Sequence, residues 1–419
     1  MLKLNKILSS ILATFTVVAC NANVNGTDIS TKKLDLKTPD SFEIQSVTDS
    51  GLVSANTKFG LNLYSKLLEQ DKDKNIFISP LSVSIALSMA FNGADGSTKE
   101  DMQKTLQYNN LTLDDVNKGN NILDRQIQTI SSGVTVNIAN SLWGKKDFKF
   151  PTTFVDDTSK YYGANLKLLD FTASDSLTKI NNWVSDSTNK KIDKILDKLD
   201  PETLLVLINA IYFKGTWTDK FDKASTKDET FTLSNAKQKT VPMMQRYGEY
   251  KYLEETGNFQ AIRLPYGQKE EVSMYVFLPA VESNLNNFYK NLTPENWDKW
   301  ISNFSTANGN IKIPKFKTEY DTSLNDSLKA LGMSSAFDSS ANFTKLGGAF
   351  ISEVKHKSYV NVDEEGTEAA AVTAVVMVGT AMLQTKEFNM TVDRPFMFAI
   401  VDEKTKSILF MGSILDPQV

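Results

Sequence analysis

The chain offers little of the side-chain chemistry that enzymes use. Its 419 residues include one histidine, His356, and one cysteine, Cys20. A serine or cysteine triad would have to use His356 as its general base, and a structural zinc site needs several Cys, His or acidic ligands close together. The sequence therefore predicts no catalytic residue, no metal site and no cofactor.

The cysteine lies where a covalent modification is expected. Residues 1–20, MLKLNKILSSILATFTVVAC, carry two lysines, then an apolar run and small residues before Cys20. This layout predicts a secretory signal peptide over residues 1–19, and VVAC resembles the bacterial lipobox, whose cysteine is acylated. We therefore expect an exported lipoprotein, anchored to a membrane through Cys20 at the cell surface or in the periplasm. A plain signal peptide followed by an incidental thiol is the alternative.

The rest of the composition is that of an ordinary globular protein. Charged residues make up 23% of the chain and the net charge is −4, without a basic stripe, so nucleic acid is not expected as a partner. Residues 20–43 are polar and lack apolar periodicity, which predicts a flexible tether. A folded domain is predicted over residues 44–419, because hydrophobic residues at 41% can bury a large core and no linker interrupts this stretch.

Residues 364–388, EEGTEAAAVTAVVMVGTAMLQTKEF, begin with charge and glycine and continue almost without charge. Read with a period of two from residue 367, one face is small or apolar throughout. That face comprises Thr367, Ala369, Ala371, Thr373, Val375 and Met377. Glu368 opens the other face, and Gly366 supplies backbone freedom. The pattern suits a segment that can join a sheet, although taken alone it favours an ordinary buried strand.

The surrounding elements predict a mixed α+β fold. Apolar residues at helical spacing predict a first helix within residues 50–70, and Ser79 followed by Pro80 predicts the start of a second helix within residues 79–106. Short runs rich in apolar residues predict strands, of which the last two form a hairpin around DEKTKS. One large α+β domain is the simplest account.

Nine motifs stand in the order and at the separations found in the serpins, and the chain resembles that family over residues 44–417. They are NIFISPLSVSIALSMAFNGADGST, LINAIYFKGTWTDKFD, VPMM, LPY, FLP, IPKFKTEYDTSLNDSLKALGM, HKSYVNVDEEGTEAAAVT, DRPFMFAI and ILFMGSILDP. The resemblance implies the serpin fold, with three β-sheets, about eight to nine helices and an exposed reactive-centre loop near residues 364–388. It also implies a monomeric protease inhibitor and not an enzyme.

In inhibitory serpins the target protease cuts this loop, which then inserts into the main sheet as a new strand. The resemblance places the cut between Thr380 and Ala381, fourteen residues beyond the hinge glycine. Because loop lengths vary, the alternatives are Met377, Met382 and Leu383. None is Arg or Lys, which favours a serine protease similar to elastase, subtilisin or chymotrypsin and leaves papain-like cysteine proteases open. The hinge comprises Gly366, Thr367, Glu368, Ala369, Ala370 and Ala371.

The resemblance implies two further clusters. The first, named the shutter here, surrounds a buried His356 beneath the centre of the main sheet, where hydrogen-bonding groups must rearrange when the sheet opens. It contains Ser79, Pro80, Ser82, Asn181, Asn209 and His356. The second, the breach, comprises Trp217, Lys315 and Glu364 at the entry point of the loop. The Lys315–Glu364 ion pair is expected to be exposed and worth little energetically, and Trp217 is alternatively a plain core aromatic.

Two other functions remain open from the sequence. A non-inhibitory binding protein with the serpin fold would have its loop cut without gaining thermal stability. The second alternative is a surface hydrolase or adhesin whose similarity to the serpins is superficial. A hydrolase would lose its activity with His356→Ala. An inhibitory serpin would instead lose stability or become prone to polymerise with that change, and Thr367→Arg would convert it into a substrate.

Overall fold

The computed structural model describes residues 37–130, 133–163, 165–367 and 387–419, which form a mixed α+β fold. The helices are α1 (Ser41–Asp49), α2 (Leu52–Gln70), α3 (Pro80–Phe91), α4 (Gly96–Thr105), α5 (Leu113–Gln128), α6 (Thr152–Tyr162), α7 (Ser176–Ser187), α8 (Leu285–Lys290), α9 (Pro294–Ser302) and α10 (Asn325–Leu328). The strands are β1 (Ile76–Ile78), β2 (Val134–Lys145), β3 (Asn165–Leu169), β4 (Leu205–Thr216), β5 (Lys227–Thr232), β6 (Gln238–Glu255), β7 (Phe259–Tyr266), β8 (Val272–Pro279), β9 (Ser305–Pro314), β10 (Phe316–Ser323), β11 (Glu353–Asp363), β12 (Gly366–Thr367), β13 (Phe388–Thr391), β14 (Phe396–Asp402) and β15 (Ile408–Ile414). No helix in these ranges has the length and apolar character needed to cross a membrane.

The described strands form two hydrogen-bonded sheets. The nine-stranded sheet has the order β1-β15-β14-β8-β7-β6-β9-β13, with β5 paired to β6, and the six-stranded sheet has the order β10-β11-β12-β4-β2-β3. We expected three sheets, but β6 is 18 residues long and pairs with β5 and β9 before it reaches β7, which joins two groups of strands into one ladder. The described residues contain ten α-helices where about eight to nine were expected, since α8 and α10 have only six and four residues.

The first described helix begins at Ser41, slightly before residue 44, where the folded domain was predicted to begin. Asp40 and Glu43 form a capping box, in which the Glu43 N–H donates to Asp40 Oδ1 at 2.9 Å and the Asp40 N–H donates to Glu43 Oε2 at 3.1 Å. Arg125 of α5 pairs with Glu43 and ties α1 to the body of the molecule. Residues 41–43 therefore belong to the first helix and not to the tether.

The predicted second helix is in fact two helices. Ser79 caps α3 by accepting a hydrogen bond from the Ser82 N–H at 3.3 Å, and Pro80 occupies the first turn as predicted. The chain leaves the helix after Phe91, and Asp95 caps α4. Every residue of α3 is buried, and the helix contacts β15, β4 and β2. It is a buried helix that contacts both sheets.

The predicted carboxyl-terminal hairpin is confirmed as the antiparallel pair β14 and β15. Phe77 of β1 stacks on Phe398 and Phe410, with ring centroids 5.6 and 5.1 Å apart. Phe410 also contacts Phe213 of β4 edge to face at 5.5 Å. These aromatic side chains hold the nine-stranded sheet against the strands that form the candidate site.

Candidate functional site between β4 and β11

The candidate site is the opening between β4 and β11 in the six-stranded sheet. These strands are parallel neighbours over seven residue pairs, the last of which is Tyr212 with Tyr359. Beyond that point β12 lies between them, so that Thr367 pairs with Gly215 of β4 and with Val362 of β11. Strand β12 runs antiparallel to both neighbours. Its two residues therefore start a new strand in the middle of the sheet.

The two hinge residues within the described ranges fit this position for steric reasons. Gly366 has a φ of 146°, and a Cβ at this residue would lie 2.0 Å from the carbonyl oxygen of Gly215, so a side chain is excluded. Thr367 is fully buried, and its hydroxyl lies 2.8 Å from that of Tyr266. A small side chain is therefore required at residue 367, in agreement with the sequence pattern.

The remaining hinge residues and the predicted cut lie outside the described residues. These are Glu368, Ala369, Ala370, Ala371, Thr380 and Ala381, together with Met377, Met382 and Leu383. Their roles stay predictions, as does the acylation of Cys20, which also lies outside.

The turn between β11 and β12 is held by residues 217–226, which follow β4 and are named the clamp segment here. The indole N–H of Trp217 donates to the carbonyl of Asp363 at 2.9 Å, and its backbone N–H donates to the carbonyl of Glu365 at 3.0 Å. The Trp217 ring stacks on Tyr266 with centroids 4.3 Å apart. Trp217 thus contacts the turn directly and supports the tyrosine that bonds to Thr367.

The predicted ion pair at the breach is present, but its carboxylate is buried and not exposed as expected. Lys315 Nζ lies 2.9 Å from Glu364 Oε2, the Thr226 hydroxyl donates to Glu364 Oε1 at 2.8 Å, and the Glu364 side chain is only 5% exposed. Burial raises the pKa of Glu364, but the hydrogen bonds from Lys315, from backbone and from Thr226 together outweigh it, and the pKa lies below its ordinary value. The Lys315–Glu364 ion pair therefore contributes more to stability than an exposed ion pair would.

Glu365 forms a second ion pair that the sequence interpretation missed. Its Oε2 lies 2.6 Å from Lys220 Nζ and its Oε1 lies 3.1 Å from Lys223 Nζ, both in the clamp segment. The hydrogen bond from Lys220 lowers the pKa of Glu365 against the opposing effect of burial, and the bond from Lys223 lowers it further. The available signal was the adjacent acids in DEEG and the two lysines in TDKFDK, but nothing in the sequence places them together.

His356 lies in a row of polar residues across the six-stranded sheet. In register, Asn140 of β2 is opposite Asn209 of β4, which is opposite His356 of β11. The His356 Nδ1 is 2.5 Å from Asn209 Oδ1, and Asn209 Nδ2 donates to the Ser82 hydroxyl at 2.6 Å and to Asn140. Separating β4 from β11 would break the contact between Asn209 and His356. Asn140 was not predicted.

Three predicted shutter residues have other contacts. Asn181 does not bond to this row, since its Oδ1 accepts from the N–H groups of Ile195 and Leu196 at 2.9 and 3.0 Å and its Nδ2 donates to the Leu196 carbonyl at 2.9 Å. Its amide is thus satisfied by backbone that follows α7. Ser79 donates to the Leu409 carbonyl at 2.6 Å, and Pro80 has no N–H to donate. Both residues position α3, which carries Ser82 to the row.

The environment of His356 is unsuited to proton transfer. The residue is fully buried, and burial lowers its pKa to about 3. Its Nδ1 faces a neutral amide and not a carboxylate, and its Nε2 has no hydrogen-bond partner among the described residues. In these same residues no group of three or more Cys, His, Asp or Glu side chains is arranged to hold a metal ion. A neutral histidine in this setting is a structural group that is sensitive to separation of the strands.

The sequence and the fold are similar to those of known proteins of one family. The family model described as serpin (serine protease inhibitor) matches residues 54–417. The leukocyte elastase inhibitor of Homo sapiens is 39% identical over 382 residues, which cover 87% of this chain and 99% of that protein. The native crystal structure of the thermophilic serpin tengpin has a TM-score of 0.83 and 32% identity, covering 94% of this chain and 100% of that one. Human thyroxine-binding globulin, complexed with thyroxine, has a TM-score of 0.82 and 28% identity over 89% of this chain and 100% of that one.

The match to the serine protease inhibitor family and to the leukocyte elastase inhibitor defines the class of protein as a protease inhibitor and not an enzyme. Within that class, the chain belongs to the serpin family. The expected α+β serpin fold is thereby confirmed.

Proposed function

We propose that the protein is an inhibitory serpin that covalently traps endopeptidases of small or apolar primary specificity. The observation that carries the proposal is β12, because Gly366 and Thr367 already pair between β4 and β11 at the point where a longer strand would enter. The similarity to leukocyte elastase inhibitors supports an elastase-like target. Subtilisin-like, chymotrypsin-like and papain-like enzymes fit the same apolar loop sequence.

The proposed reaction starts as an ordinary proteolytic step. The serine hydroxyl of the protease adds to the carbonyl of Thr380, the bond to Ala381 breaks, and the freed amine leaves with the proton taken from the serine. The acyl ester now joins the protease to the loop. Continued insertion of the loop between β4 and β11 carries the protease along the sheet and distorts its active site, so that water cannot complete the hydrolysis. The inhibitor supplies conformational energy and no catalytic group.

A binding function is the second candidate, because human thyroxine-binding globulin shares the fold at 28% identity. The fold alone therefore does not separate inhibition from ligand carriage. The small residues after Gly366 favour inhibition, since a segment that never entered the sheet would not need one face free of bulk and charge.

The test is incubation with pancreatic elastase, subtilisin, chymotrypsin and papain, followed by denaturing electrophoresis and mass spectrometry. We expect a covalent complex that survives SDS, formed with about one inhibitor per protease molecule, and a released peptide that begins at Ala381. Thr367→Arg should be cut without trapping, because a charge cannot enter the position beside Tyr266. Thr367→Val is the matched control and should still trap. If the wild-type chain is merely cut by every protease, the proposal is wrong.

We propose further that the protein is exported and held at a membrane by lipid on Cys20. The sequence of residues 1–20 supports this, and residues 20–40 would place the inhibitor at a distance from the bilayer. Labelled fatty acid should be incorporated into the wild-type chain in a bacterial host, and the protein should sediment with membranes. Cys20→Ser should abolish both results, whereas equal sedimentation of the two forms would contradict lipid anchoring.

A further inference from the structure

Two neighbouring glutamates fix the turn between β11 and β12 from different directions. Glu364 pairs with Lys315, which lies between β9 and β10, at 2.9 Å. Glu365 pairs with Lys220 at 2.6 Å and with Lys223 at 3.1 Å, both in the clamp segment. The turn is therefore tied to two elements that are separate in the chain.

Glu365 is held through its side chain and through both of its backbone groups. Each carboxylate oxygen has its own lysine, and the side chain is 13% exposed. Its N–H donates to Asp363 Oδ1 at 2.9 Å, and its carbonyl accepts from the Trp217 N–H at 3.0 Å. Charged hydrogen bonds in a largely buried position are stronger than those of exposed pairs. Glu365 consequently has little freedom to rotate.

Glu365 immediately precedes the first residue of β12. Gly366 adopts its positive φ directly after Glu365, and Thr367 then faces Tyr266 from within the sheet. Side chains alternate along a strand, so a shift of one residue at this start would turn the opposite face inward. That face begins with Glu368, whose charge would then have to be buried. The start of β12 therefore needs a fixed register.

We propose that Glu365, held by Lys220 and Lys223, is a positioning residue that sets the register in which the cut loop enters the sheet. This inference rests on the proposed function, in which loop entry competes with hydrolysis of the acyl ester. A strand that starts in register inserts before water reaches the ester, and the protease is trapped. A strand that starts out of register inserts slowly, and the protease escapes after cutting its inhibitor.

The experiment measures how many inhibitor molecules are consumed per trapped pancreatic elastase. This number equals one plus the ratio of the hydrolysis rate to the insertion rate, and Glu365→Lys should raise its excess over one by about fivefold, the change in a rate ratio that corresponds to losing one partly buried ion pair. Glu365→Gln should give a smaller rise. Glu365→Lys combined with Lys220→Glu should return this excess to within about twofold of its wild-type value, since one pair of opposite charges is restored. Glu69→Lys, which breaks the exposed Lys66–Glu69 pair on α2, is the matched control and should have no effect.

The outcomes separate this inference from the proposed function. If the wild-type chain traps elastase and all Glu365 variants do so equally well, the inference is overturned. It is also overturned if Glu365→Gln lowers the melting temperature of the uncut protein and the charge swap restores nothing, because the role is then only structural. If the wild-type chain traps no protease, the proposed function fails. The role of Glu365 is then tested by the rate at which the melting temperature rises after the loop is cut. In that case an equal rate in wild type and Glu365→Lys, or no rise in either, contradicts the inference.

Discussion

At the scale of single residues, folding favours the neutral form of His356. It is fully buried against Asn209, and burial lowers its pKa to about 3. A protonated imidazole here would place an uncompensated charge beneath the sheet. The folded protein therefore keeps His356 neutral at pH values where the unfolded chain takes up a proton.

The first prediction concerns the pH dependence of stability. Below pH 6.5 the unfolded wild-type chain gains a proton on His356 that the folded chain does not bind until pH falls to about 3. Stability is therefore lost as pH falls, by about 1.4 kcal/mol per pH unit. His356→Gln cannot titrate, so between pH 6.5 and 4.5 the wild type should lose about 2 kcal/mol relative to the variant.

Urea-unfolding midpoints of both proteins at several pH values check this prediction. Asp124, whose pKa burial raises to about 6, titrates in the same range but is common to both proteins, so its effect cancels in the difference. Parallel curves for wild type and His356→Gln would contradict the neutral, buried assignment of the histidine.

The sequence predicts the position and role of a single residue when local sterics or a family motif determines them. Gly366 and Thr367 are of this kind, because a positive φ and a fully buried position each restrict the side chain. Asn140 and Lys220 were missed because their partners come from distant parts of the chain. Asn181 was wrongly assigned to the shutter. A side-chain amide can form its hydrogen bonds with nearby backbone as well as with other side chains, and the residue type does not reveal which partners it has.

At the scale of elements, α3 positions the shutter through its amino terminus. Ser79 accepts the capping hydrogen bond from the Ser82 N–H and donates its own proton to the Leu409 carbonyl of β15 at 2.6 Å. One hydroxyl thus fixes both the start of the helix and its distance from the hairpin. Ser82, one turn later, then reaches the Asn209 amide.

We predict that Ser79→Ala lowers the free energy of unfolding by about 2 to 3 kcal/mol. The change removes the cap and leaves the buried Leu409 carbonyl without this donor, and each loss costs about 1 kcal/mol or more. Urea titration measures the effect. Ser302→Ala at the exposed end of α9 is the matched control, with an expected change within about 0.5 kcal/mol. Equal effects of the two substitutions would show that the hydroxyl of Ser79 does not link helix and hairpin.

The sequence predicted the type of most elements but not all of their boundaries. Ser79 and Pro80 gave the start of α3, yet the break between α3 and α4 was missed because the apolar character of the helix hid its end. The start of α1 was missed because the Asp40–Glu43 capping box is followed by few apolar residues. The position of β12 between β11 and β4 depends on pairing across about 150 residues, which local pattern does not encode.

At the scale of the whole molecule, the six-stranded sheet changes its pairing between β4 and β11. Strands β4 and β11 pair directly only up to Tyr212 and Tyr359, and β12 adds two residues beyond that point. If the loop were cut, residues after Thr367 would be able to continue β12 and hydrogen-bond to both neighbours. We therefore predict that the intact protein is kinetically trapped in a state less stable than its cut form.

The most direct test is calorimetry of the intact protein and of the same protein cut once near residue 380. About a dozen new ladder hydrogen bonds at ~1 kcal/mol each, with the burial of small apolar side chains, should raise the melting temperature by about 20 °C. Thr367→Arg, cut in the same way, should gain little because its strand cannot enter. A cut wild-type protein that melts no higher than the intact one would contradict the account.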